Sequence, residues 1–484
     1  MNPAIPRHDI AASLVVFLVA LPLCVGVAVA SGVPAELGLV TGIVGGLVTG
    51  LLPGSSLQVS GPAAGLTVLV YEAVETYGLP ALGAIVLAAG LLQLLLGALR
   101  FGSWFRGIST AVVEGMLAGI GLVIIAGQLY AMAGAAAPAS GIGKIAGLPG
   151  LAGDLATSAT LWPSFAIGAG TVALLPLWQR LPAKARVAPG ALVAVSLATA
   201  VTWLLGLQVK TVEVRGLIDS VQPPGTDVFA ALGPGVIGTV LAFTLIASAE
   251  SLFSAAAVDR MHDGPRTDYN RELMAQGAGN IVCGTLGALP MTAVIVRSAT
   301  NVQAGARTKA SRVLHGVWLL LFAALLPAVL ALIPIAALAG VLVYAGVKLM
   351  PVEQFPVLWR AHRGEAVILA ATAVAIVTIS MFEGVLIGLL LSVVKAAWQT
   401  SHIKLEVTDE GTGPVHAHLS GNATFLRLPK ILDDLETLPK NRPIELDLTG
   451  LHHLDHTCRT ALTTWTEQHN AESTEQVRMS PALT

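Results

Sequence analysis

The stretch Leu289–Ser311, LPMTAVIVRSATNVQAGARTKAS, places one arginine, Arg297, in a segment whose neighbours on both sides are apolar enough to lie in a membrane. Residues 291–296 are rich in β-branched side chains, whereas Arg297 and Ser298 suit the first turn of a helix. The pattern predicts an extended segment that leads into a helix N-terminus at membrane depth. Irregular backbone persists there only where it is buried in protein or lines a wet cavity, because unpaired amides and carbonyls are costly in lipid.

The predicted helix N-terminus at Arg297 is a region of positive potential. The aligned peptide dipoles contribute about half an elementary charge there, and the guanidinium adds a full charge. We therefore expect a ligand at this position to be an anion.

A matching stretch, Ser56–Tyr71 with the sequence SLQVSGPAAGLTVLVY, lies in the first half of the chain. A short alternating run ends at Ser60-Gly61-Pro62, and an apolar helix is predicted to begin at Pro62, where the missing N–H of proline costs no hydrogen bond. Interrupted segments at corresponding places in the two halves of a chain are typical of the binding site of a transporter.

The composition is that of a polytopic membrane protein. The 484 residues are 54% hydrophobic and 12% charged, and the mean hydropathy is +0.76, which excludes an ordinary soluble protein. The 51 glycines suit close helix packing in lipid. Cys24, Cys283 and Cys458 lie far apart, so the sequence predicts neither a disulfide framework nor a metal site.

A span needs about 20 apolar residues, and on that measure the sequence predicts an all-α polytopic membrane protein with about fourteen spans. The predicted spans are Ile10–Ala30, Leu37–Leu52, Pro62–Thr76, Leu79–Leu99, Thr110–Met132, Trp162–Leu177, Pro189–Leu205, Ala230–Val258, Asn270–Ala288, Arg297–Ala306, Ser311–Ile333, Ile335–Leu349, Glu365–Ser380 and Glu383–Trp398.

Lysine and arginine placement predicts that both termini are cytoplasmic, in a bacterial-type inner or plasma membrane. With the N-terminus inside, the cytoplasmic connections and adjoining helix ends hold Arg100, Arg106, Arg180, Lys184, Arg186, Arg260, Arg266, Arg271, Arg307, Lys309, Arg312, Lys348, Arg360, Arg363 and Lys395. The connections predicted to lie on the outer side hold three basic residues, Lys144, Lys210 and Arg215. Two long connections, residues 133–161 and 208–226, also fall outside.

Dividing the membrane part near Gly225 leaves seven predicted spans on each side. An odd number in each half forces the halves into opposite orientations, which is the plan of an inverted repeat. The predicted repeats are residues 1–225, with spans one to seven, and residues 226–400, with spans eight to fourteen.

The composition after Trp398 changes to the pattern of a small α/β domain, residues 401–484. HIKLEV, GPVHAHL and PIELDLTG are predicted to be strands, and Phe425–Leu435 and Cys458–Gln468 are predicted to be helices. We expect this domain to be cytoplasmic because it follows the last span.

Ionisable residues inside spans are candidates for function, and Arg297 and Glu250 are the best placed. Glu250 lies in TLIASAESLFSAAAVD, where Ser251 and Ser254 give its helix a polar face. One interpretation is an anion site, and the other is a structural Glu250–Arg297 ion pair that locks two helices together. No nucleotide-binding, nucleophile or metal motif appears, so the sequence predicts neither an enzyme nor a cofactor beyond a coupling ion, proton or sodium.

Three stretches resemble the SulP (sulfate permease) family, which includes prestin, pendrin and bacterial sulfate and bicarbonate carriers. They are LPLCVGVAVASGVPAELGLVTGIVGG, QVSGPAAGLT and VRSATNVQAGARTKAS. The resemblance covers the membrane part and implies a seven-plus-seven inverted repeat, in which a core domain (spans one to four and eight to eleven) moves against a gate domain. It also implies a homodimer and identifies the tail as a truncated STAS-like domain.

The resemblance implies an anion site between the N-termini of two half-helices, completed by the first and eighth spans. The residues that match it are Leu23, Cys24, Ala63, Ala64, Gly65, Glu250, Val296, Arg297, Ser298 and Ala299. Two of them depart from the family pattern, because many members carry serine at Val296 and glutamine at Leu23. These departures shift the expected anion contacts onto backbone amides and Arg297.

The leading hypothesis is a secondary carrier for a small inorganic oxyanion, sulfate or bicarbonate, with an elevator-like shift of the core domain. Glu250 is the expected coupling residue, which would take up a proton when an anion engages Arg297, or would help to hold a sodium ion. The alternatives are an uncoupled anion channel or a prestin-like voltage-responsive membrane protein. A nucleobase carrier of the same architecture is disfavoured because an uncharged heterocycle does not call for an arginine.

Overall fold

Two compact units make up the chain, Met1–Gly388 and Leu389–Thr484. The structure is a computed structural model that describes residues 6–103, 109–138, 140–182, 188–213, 216–225, 228, 233–409, 411, 413–473 and 475–480. Several residues used in the sequence-based topology lie outside the described residues, namely Arg106, Lys184, Arg186, Arg215 and the predicted span start Ala230.

The elements described for the first unit are helices and two short strands. Its helices are α1 (Arg7–Ala30), α2 (Ala35–Val44), α3 (Thr67–Tyr77), α4 (Leu79–Ala98), α5 (Thr110–Met132), α6 (Gly141–Ala146), α7 (Leu148–Thr157), α8 (Trp162–Arg180), α9 (Gly190–Leu204), α10 (Val236–Asp259), α11 (Tyr269–Thr285), α12 (Ile295–Gln303), α13 (Ala310–Leu325), α14 (Pro327–Leu330), α15 (Ile335–Leu349), α16 (Gln354–Ala361) and α17 (Arg363–Thr378). Helix α18 (Met381–Thr400) crosses the border between the units. The strands are β1 (Ser60–Pro62) and β2 (Met291–Ala293).

Six helices in the described part of the chain are long and apolar enough to cross a membrane. They are Arg7–Ala30, Leu79–Ala98, Thr110–Met132, Val236–Asp259, Met381–Thr400 and the run Ile335–Ala361, which joins α15 and α16. The pair Gly141–Thr157 and Trp162–Arg180 passes the same test together but is bent by 117°. These helices support an integral membrane protein, whereas the total of fourteen spans, the inverted repeat and the orientation of the termini stay predictions.

Several predicted bounds are confirmed and others need correction. Helices α5 and α15 have the bounds that the sequence predicts. The helix predicted from Pro62 begins instead at Thr67, because Ser60–Pro62 pairs as a strand and Ala64–Leu66 forms a 3-10 turn. The predicted connection 133–161 contains the helices α6 and α7.

Glycines bring the backbones of α4 and α11 into direct contact. They recur every seven residues, as Gly83, Gly90 and Gly97 on α4 and as Gly277 and Gly284 on α11. A Cβ added at Gly90 would lie 2.6 Å from the Ile281 nitrogen, and one at Gly277 would lie 2.6 Å from the Leu94 nitrogen. Small residues permit such close packing in lipid, where burial of apolar side chains supplies little driving force.

The buried carboxylate of Asp9 ties the start of α1 to the loop between α12 and α13. It accepts hydrogen bonds from the backbone nitrogens of Arg307, at 2.8 Å, and Thr308, at 3.3 Å, and from the Thr308 hydroxyl, at 2.5 Å. Hydrogen bonds to an ionised group are stronger than neutral ones. The first helix is thereby fixed to the chain that follows α12.

Helix packing divides the first unit into two groups. Helices α1, α2 and α4 pack mainly with α10–α13, and we call these helices, together with α3, which packs on α4, the core group. Helices α5, α6, α8 and α9 pack mainly with one another and with α15 and α17, and we call these helices, together with α7 and α16, the gate group. The groups meet where α1 lies against α9 and α15 and where α3 lies against α5. The division into core and gate domains that move against each other, which the family resemblance implies, stays a prediction.

The second unit carries the predicted α/β pattern. Its strands are β3 (Ile403–Thr408), β4 (Val415–Ala423), β5 (Ile444–Leu454) and β6 (Val477–Ser480), and its further helices are α19 (Leu428–Glu436) and α20 (His456–Glu472). The sheet order is β3-β4-β5-β6, with β3 and β4 antiparallel and the other neighbours parallel.

Apolar side chains of β4 and β5 form the core of this second unit with α19 and α20. Ala417 and Leu446 from the strands pack with Ile431 and Leu462 from the helices, and all four are buried. The three predicted strands and two predicted helices are confirmed, whereas β6 was not predicted. The identification of this unit as STAS-like stays a prediction.

Candidate functional site

Strands β1 and β2 bring two distant parts of the chain together inside the first unit. They pair antiparallel, with Ser60 opposite Ala293 and Pro62 opposite Met291. The extended segment predicted over residues 291–296 is confirmed for Met291–Ala293, whereas the helix predicted to begin at Arg297 begins two residues earlier, at Ile295. The pairing of this segment with the earlier one is a finding of the structure. All six residues of the pair are buried.

Each strand leads into a short helix, so the N-termini of α3 and α12 lie beside the strand pair. The 11 residues of α3 and the 9 residues of α12 span about 17 Å and 14 Å at 1.5 Å per residue, roughly half a bilayer core each. We call α3 and α12 the half-helices. Their unpaired backbone N–H groups create positive potential in one small region.

Side-chain hydrogen bonds satisfy the backbone where the strand pair ends. The Ser298 hydroxyl accepts a hydrogen bond from the Val59 nitrogen at 2.9 Å, and the Ser251 hydroxyl accepts one from the Ala293 nitrogen at 3.2 Å. The Gln58 amide donates to the Ser251 carbonyl at 2.8 Å. Ser298, predicted as a substrate contact, therefore has its hydroxyl engaged in this scaffold.

Amide side chains from apolar helices complete the scaffold, and the sequence analysis did not identify them. Asn280 of α11 accepts a hydrogen bond from the Met291 nitrogen at 2.8 Å and donates to the Met291 carbonyl at 3.1 Å. Asn280 also donates to Gln93 at 2.8 Å, and Gln276 donates to the Ser60 hydroxyl at 2.7 Å. The feature of the sequence that could have identified them is an amide side chain in an otherwise apolar, glycine-rich helix.

Arg297 lies at the centre of the region and is completely buried. Its Nη2 donates to the Pro62 carbonyl at 3.3 Å, while Nε and Nη1 have no hydrogen-bond partner among the described residues. The guanidinium lies against Gly61, where an added Cβ would overlap Nη1. A buried cation with unpaired donors is costly, so this arrangement favours an anionic ligand.

Glu250 of α10 lies against the start of half-helix α3. A Cβ added at Gly65 would be 2.8 Å from both carboxylate oxygens. The Thr292 hydroxyl is a neighbour of this carboxylate, yet neither it nor Oε2 of Glu250 completes a hydrogen bond within the described part of the chain. Arg297 and Glu250 form no ion pair with each other in the structure, so the interpretation of a structural lock is not supported.

The other predicted residues occupy two kinds of position. Cys24 is completely buried and lies close to the Arg297 guanidinium, and its neighbour Leu23 is partly buried in a cluster of apolar side chains. Ala63, Ala64 and Gly65 directly precede half-helix α3, whereas Ala299 is the fifth of the nine residues of half-helix α12. Val296 is 49% exposed, so its side chain does not close the site.

One buried residue near Arg297 was missed by the sequence analysis. His315 of α13 is completely buried, and its Nδ1 makes a hydrogen bond with the Arg312 carbonyl at 2.9 Å. Its Nε2 has no partner among the described residues, and its ring lies within electrostatic reach of Arg297. A single histidine in an apolar span gave no pattern that pointed to the site.

Substituting Gly61 with alanine is expected to weaken anion binding at least about tenfold, because the added Cβ would push Nη1 of Arg297 out of its place. Binding is measured as the anion-dependent rise in melting temperature of the purified protein. Gly170→Ala in α8 is the control, since no atom of the described residues lies within 4 Å of a Cβ added there. Equal anion responses of both variants and the parent would contradict the placement of the guanidinium.

Comparison with known proteins identifies similar sequences and folds. The model of the sulfate permease family matches residues 7–372. The putative sulfate transporter YvdB of Bacillus subtilis is 28% identical over 396 residues, which are 80% of this chain and 73% of the relative. The bicarbonate transporter BicA of Picosynechococcus sp. is 27% identical over 424 residues, which are 83% of this chain and 72% of the relative.

A solved structure shares the fold at low identity. The murine anion transporter Slc26a9 in its inward-facing state superposes with a TM-score of 0.82 at 15% identity, over 99% of this chain and 86% of that one. The curated relatives named above are transporters, which agrees with the prediction that the chain is not an enzyme.

Proposed function

This chain belongs to the sulfate permease family, and from that membership we propose that it is a secondary active transporter for a small inorganic oxyanion, sulfate or bicarbonate. The observation that carries the proposal is the buried Arg297 guanidinium, two of whose nitrogens have no partner among the described residues, beside the N-termini of two half-helices. Relatives that span most of this chain are named as sulfate and bicarbonate transporters.

The backbone amides and Arg297 together suit an oxyanion. Its several oxygens accept hydrogen bonds from the guanidinium fork and from helix N-terminal N–H groups at the same time. The Ser298 hydroxyl is engaged in the scaffold and the Val296 side chain has no hydroxyl, so neither side chain contributes a hydroxyl contact to the ligand. The charge of the ligand, rather than a pattern of side-chain hydroxyls, is the basis of recognition.

Alternating access by an elevator-like shift of the core group is the proposed mechanism. Both half-helices, α1 and α10 belong to the core group, so the proposed site would move with it as one body. The contacts between the core group and the gate group are less extensive than those within the core group, and they would be replaced by other contacts during the shift. A cytoplasmic location of both termini, a homodimer, fourteen spans and a STAS-like second unit are parts of the same proposal.

Glu250 is proposed to couple transport to a proton or to sodium. Arg297 packs against Gly61 and Glu250 packs against Gly65, so a bound anion would lie near a carboxylate of its own sign. Like charges in a low-dielectric site repel each other strongly. A proton or a sodium ion on Glu250 would remove that repulsion and would travel with the anion.

Radiolabelled uptake into proteoliposomes tests the substrate class. We expect saturable uptake of sulfate or bicarbonate, and much slower uptake of chloride and dicarboxylates, under an imposed proton or sodium gradient. Liposomes without protein provide the background rate. Failure to take up either oxyanion under both gradients, in preparations whose protein is folded, would refute the proposed function.

A further inference from the structure

The side chain of Lys144 reaches from the gate group to half-helix α3. Its helix α6 is attached to α5 by a hydrogen bond from the Tyr130 hydroxyl to the Lys144 carbonyl, at 3.0 Å. Its aliphatic stem runs along α5, since a Cβ at Gly127 would lie 3.6 Å from Cδ and 3.7 Å from Cε. The residue is 7% exposed, which is unusual for a lysine.

The ammonium group of Lys144 lies over one residue of half-helix α3, Tyr71, and within electrostatic reach of the next, Glu72. Its Nζ is 5.1 Å from the centroid of the Tyr71 ring, which also lies against Gly32 at the end of α1. The charges of Lys144 and Glu72 influence each other, and Glu383 of α18 adds a second carboxylate nearby. Cation–π and charge attraction both depend on the positive charge of the lysine.

These contacts lie between the proposed anion site and one surface of the membrane. Tyr71 is the fifth residue of α3, so it lies about 6 Å along the helix axis from the start of that half-helix. Lys144 belongs to a connection that the sequence predicts to be on the outer side. A side chain that joins the two groups here would close the outer path to the site.

We propose that Lys144 is an outer clamp, which holds half-helix α3 against the gate group and stabilises the state closed to the outside. This inference rests on the proposed alternating access. Opening the site to the outer side requires α3 to move with the core group, and this movement separates Tyr71 and Glu72 from the ammonium. The clamp therefore sets how the protein is distributed between its two states.

The rate at which the native Cys24 is chemically modified measures the effect of the clamp, because this thiol is completely buried and close to Arg297 in the proposed site. In a Cys283→Ala, Cys458→Ala background, modification of Cys24 by a membrane-impermeant methanethiosulfonate is followed in vesicles of each orientation. Lys144→Met retains most of the apolar stem and removes the charge. We expect it to raise the outer-side rate at least about fivefold and to lower the inner-side rate, and Tyr71→Leu should act in the same direction.

Lys210→Met is the matched control. Lys210 is an exposed lysine whose Nζ donates to the Gly134 carbonyl at 3.1 Å, within the gate group and its adjoining connections, so both rates should stay unchanged. If the ratio of the outer-side to the inner-side modification rate is the same in folded Lys144→Met and Tyr71→Leu as in the parent, the clamp is overturned. If Cys24 reacts in no variant, the comparison is repeated with Val296→Cys, which lies at a 49% exposed position, and an unchanged ratio there would overturn it too.

The effect of bound anion on the modification of Cys24 distinguishes a failure of this inference from a failure of the proposed function. Sulfate or bicarbonate should slow the modification of Cys24 in the parent background. Protection without an effect of Lys144→Met would defeat the clamp and leave the oxyanion site standing. An effect of Lys144→Met without protection by either anion would support the clamp and contradict the oxyanion assignment.

Discussion

Replacing Arg297 with alanine is expected to lower the affinity for the transported oxyanion by at least about 100-fold, which corresponds to about 3 kcal/mol. The guanidinium is completely buried and two of its nitrogens have no partner in the described part of the chain, so a bound anion would receive its strongest hydrogen bonds from this residue. Among the described residues, the guanidinium donates one hydrogen bond, of 3.3 Å, to the Pro62 carbonyl. The variant should therefore retain the fold while losing the ligand.

Binding of radiolabelled sulfate and bicarbonate to the purified variant measures this effect. Arg271→Ala is the control, because that arginine is exposed and pairs with Asp268 at 3.3 Å, on the surface of α11. Arg297→Lys should bind with intermediate affinity, since an ammonium keeps the charge but loses the planar fork. Wild-type affinity in a folded Arg297→Ala protein would exclude the guanidinium as the binding group.

Replacing Glu250 with glutamine is expected to abolish the stimulation of anion uptake by external acid while anion exchange continues. Glutamine keeps the shape of the side chain against Gly65 but binds no proton. With the negative charge gone, the anion no longer needs a proton to offset repulsion in the site. The rate at neutral pH should then match the rate that the parent reaches in acid.

Uptake by the parent and by Glu250→Gln, across external pH and with or without sodium, decides the coupling. Glu114→Gln is a suitable control, because it removes a carboxylate of the gate group helix α5. A pH response that survives in Glu250→Gln would exclude this residue as the proton carrier. An absolute sodium requirement in the parent, lost in the variant, would assign sodium as the coupling ion instead.

Local sequence patterns were sufficient to predict the long apolar helices and the extended segment before Arg297. Helices α5 and α15 are bounded by residues that interrupt an apolar run, so their limits are visible in the sequence. The pairing of Ser60–Pro62 with Met291–Ala293 was not visible, because the two segments are separated by more than 200 residues of chain. Helix α3 consequently begins later than its proline suggests.

The polar side chains that hydrogen-bond around the site could not be predicted from the sequence pattern either. A lone amide such as Asn280 or Gln93 barely changes the hydropathy of a span, yet it satisfies backbone and side-chain groups beside β2. The role of Ser298 depends on the position of the Val59 nitrogen, which tertiary pairing determines. Lys144 gave no signal either, because its burial results from how α6 packs on α5.

Counterflow in proteoliposomes tests the central claim that this site carries an inorganic oxyanion by alternating access. Vesicles loaded with unlabelled sulfate or bicarbonate receive a trace of the same labelled anion outside. We predict transient accumulation of label above equilibrium, with a rate that saturates with concentration and is lost in Arg297→Ala. A linear anion current without counterflow would contradict the account and would indicate a channel.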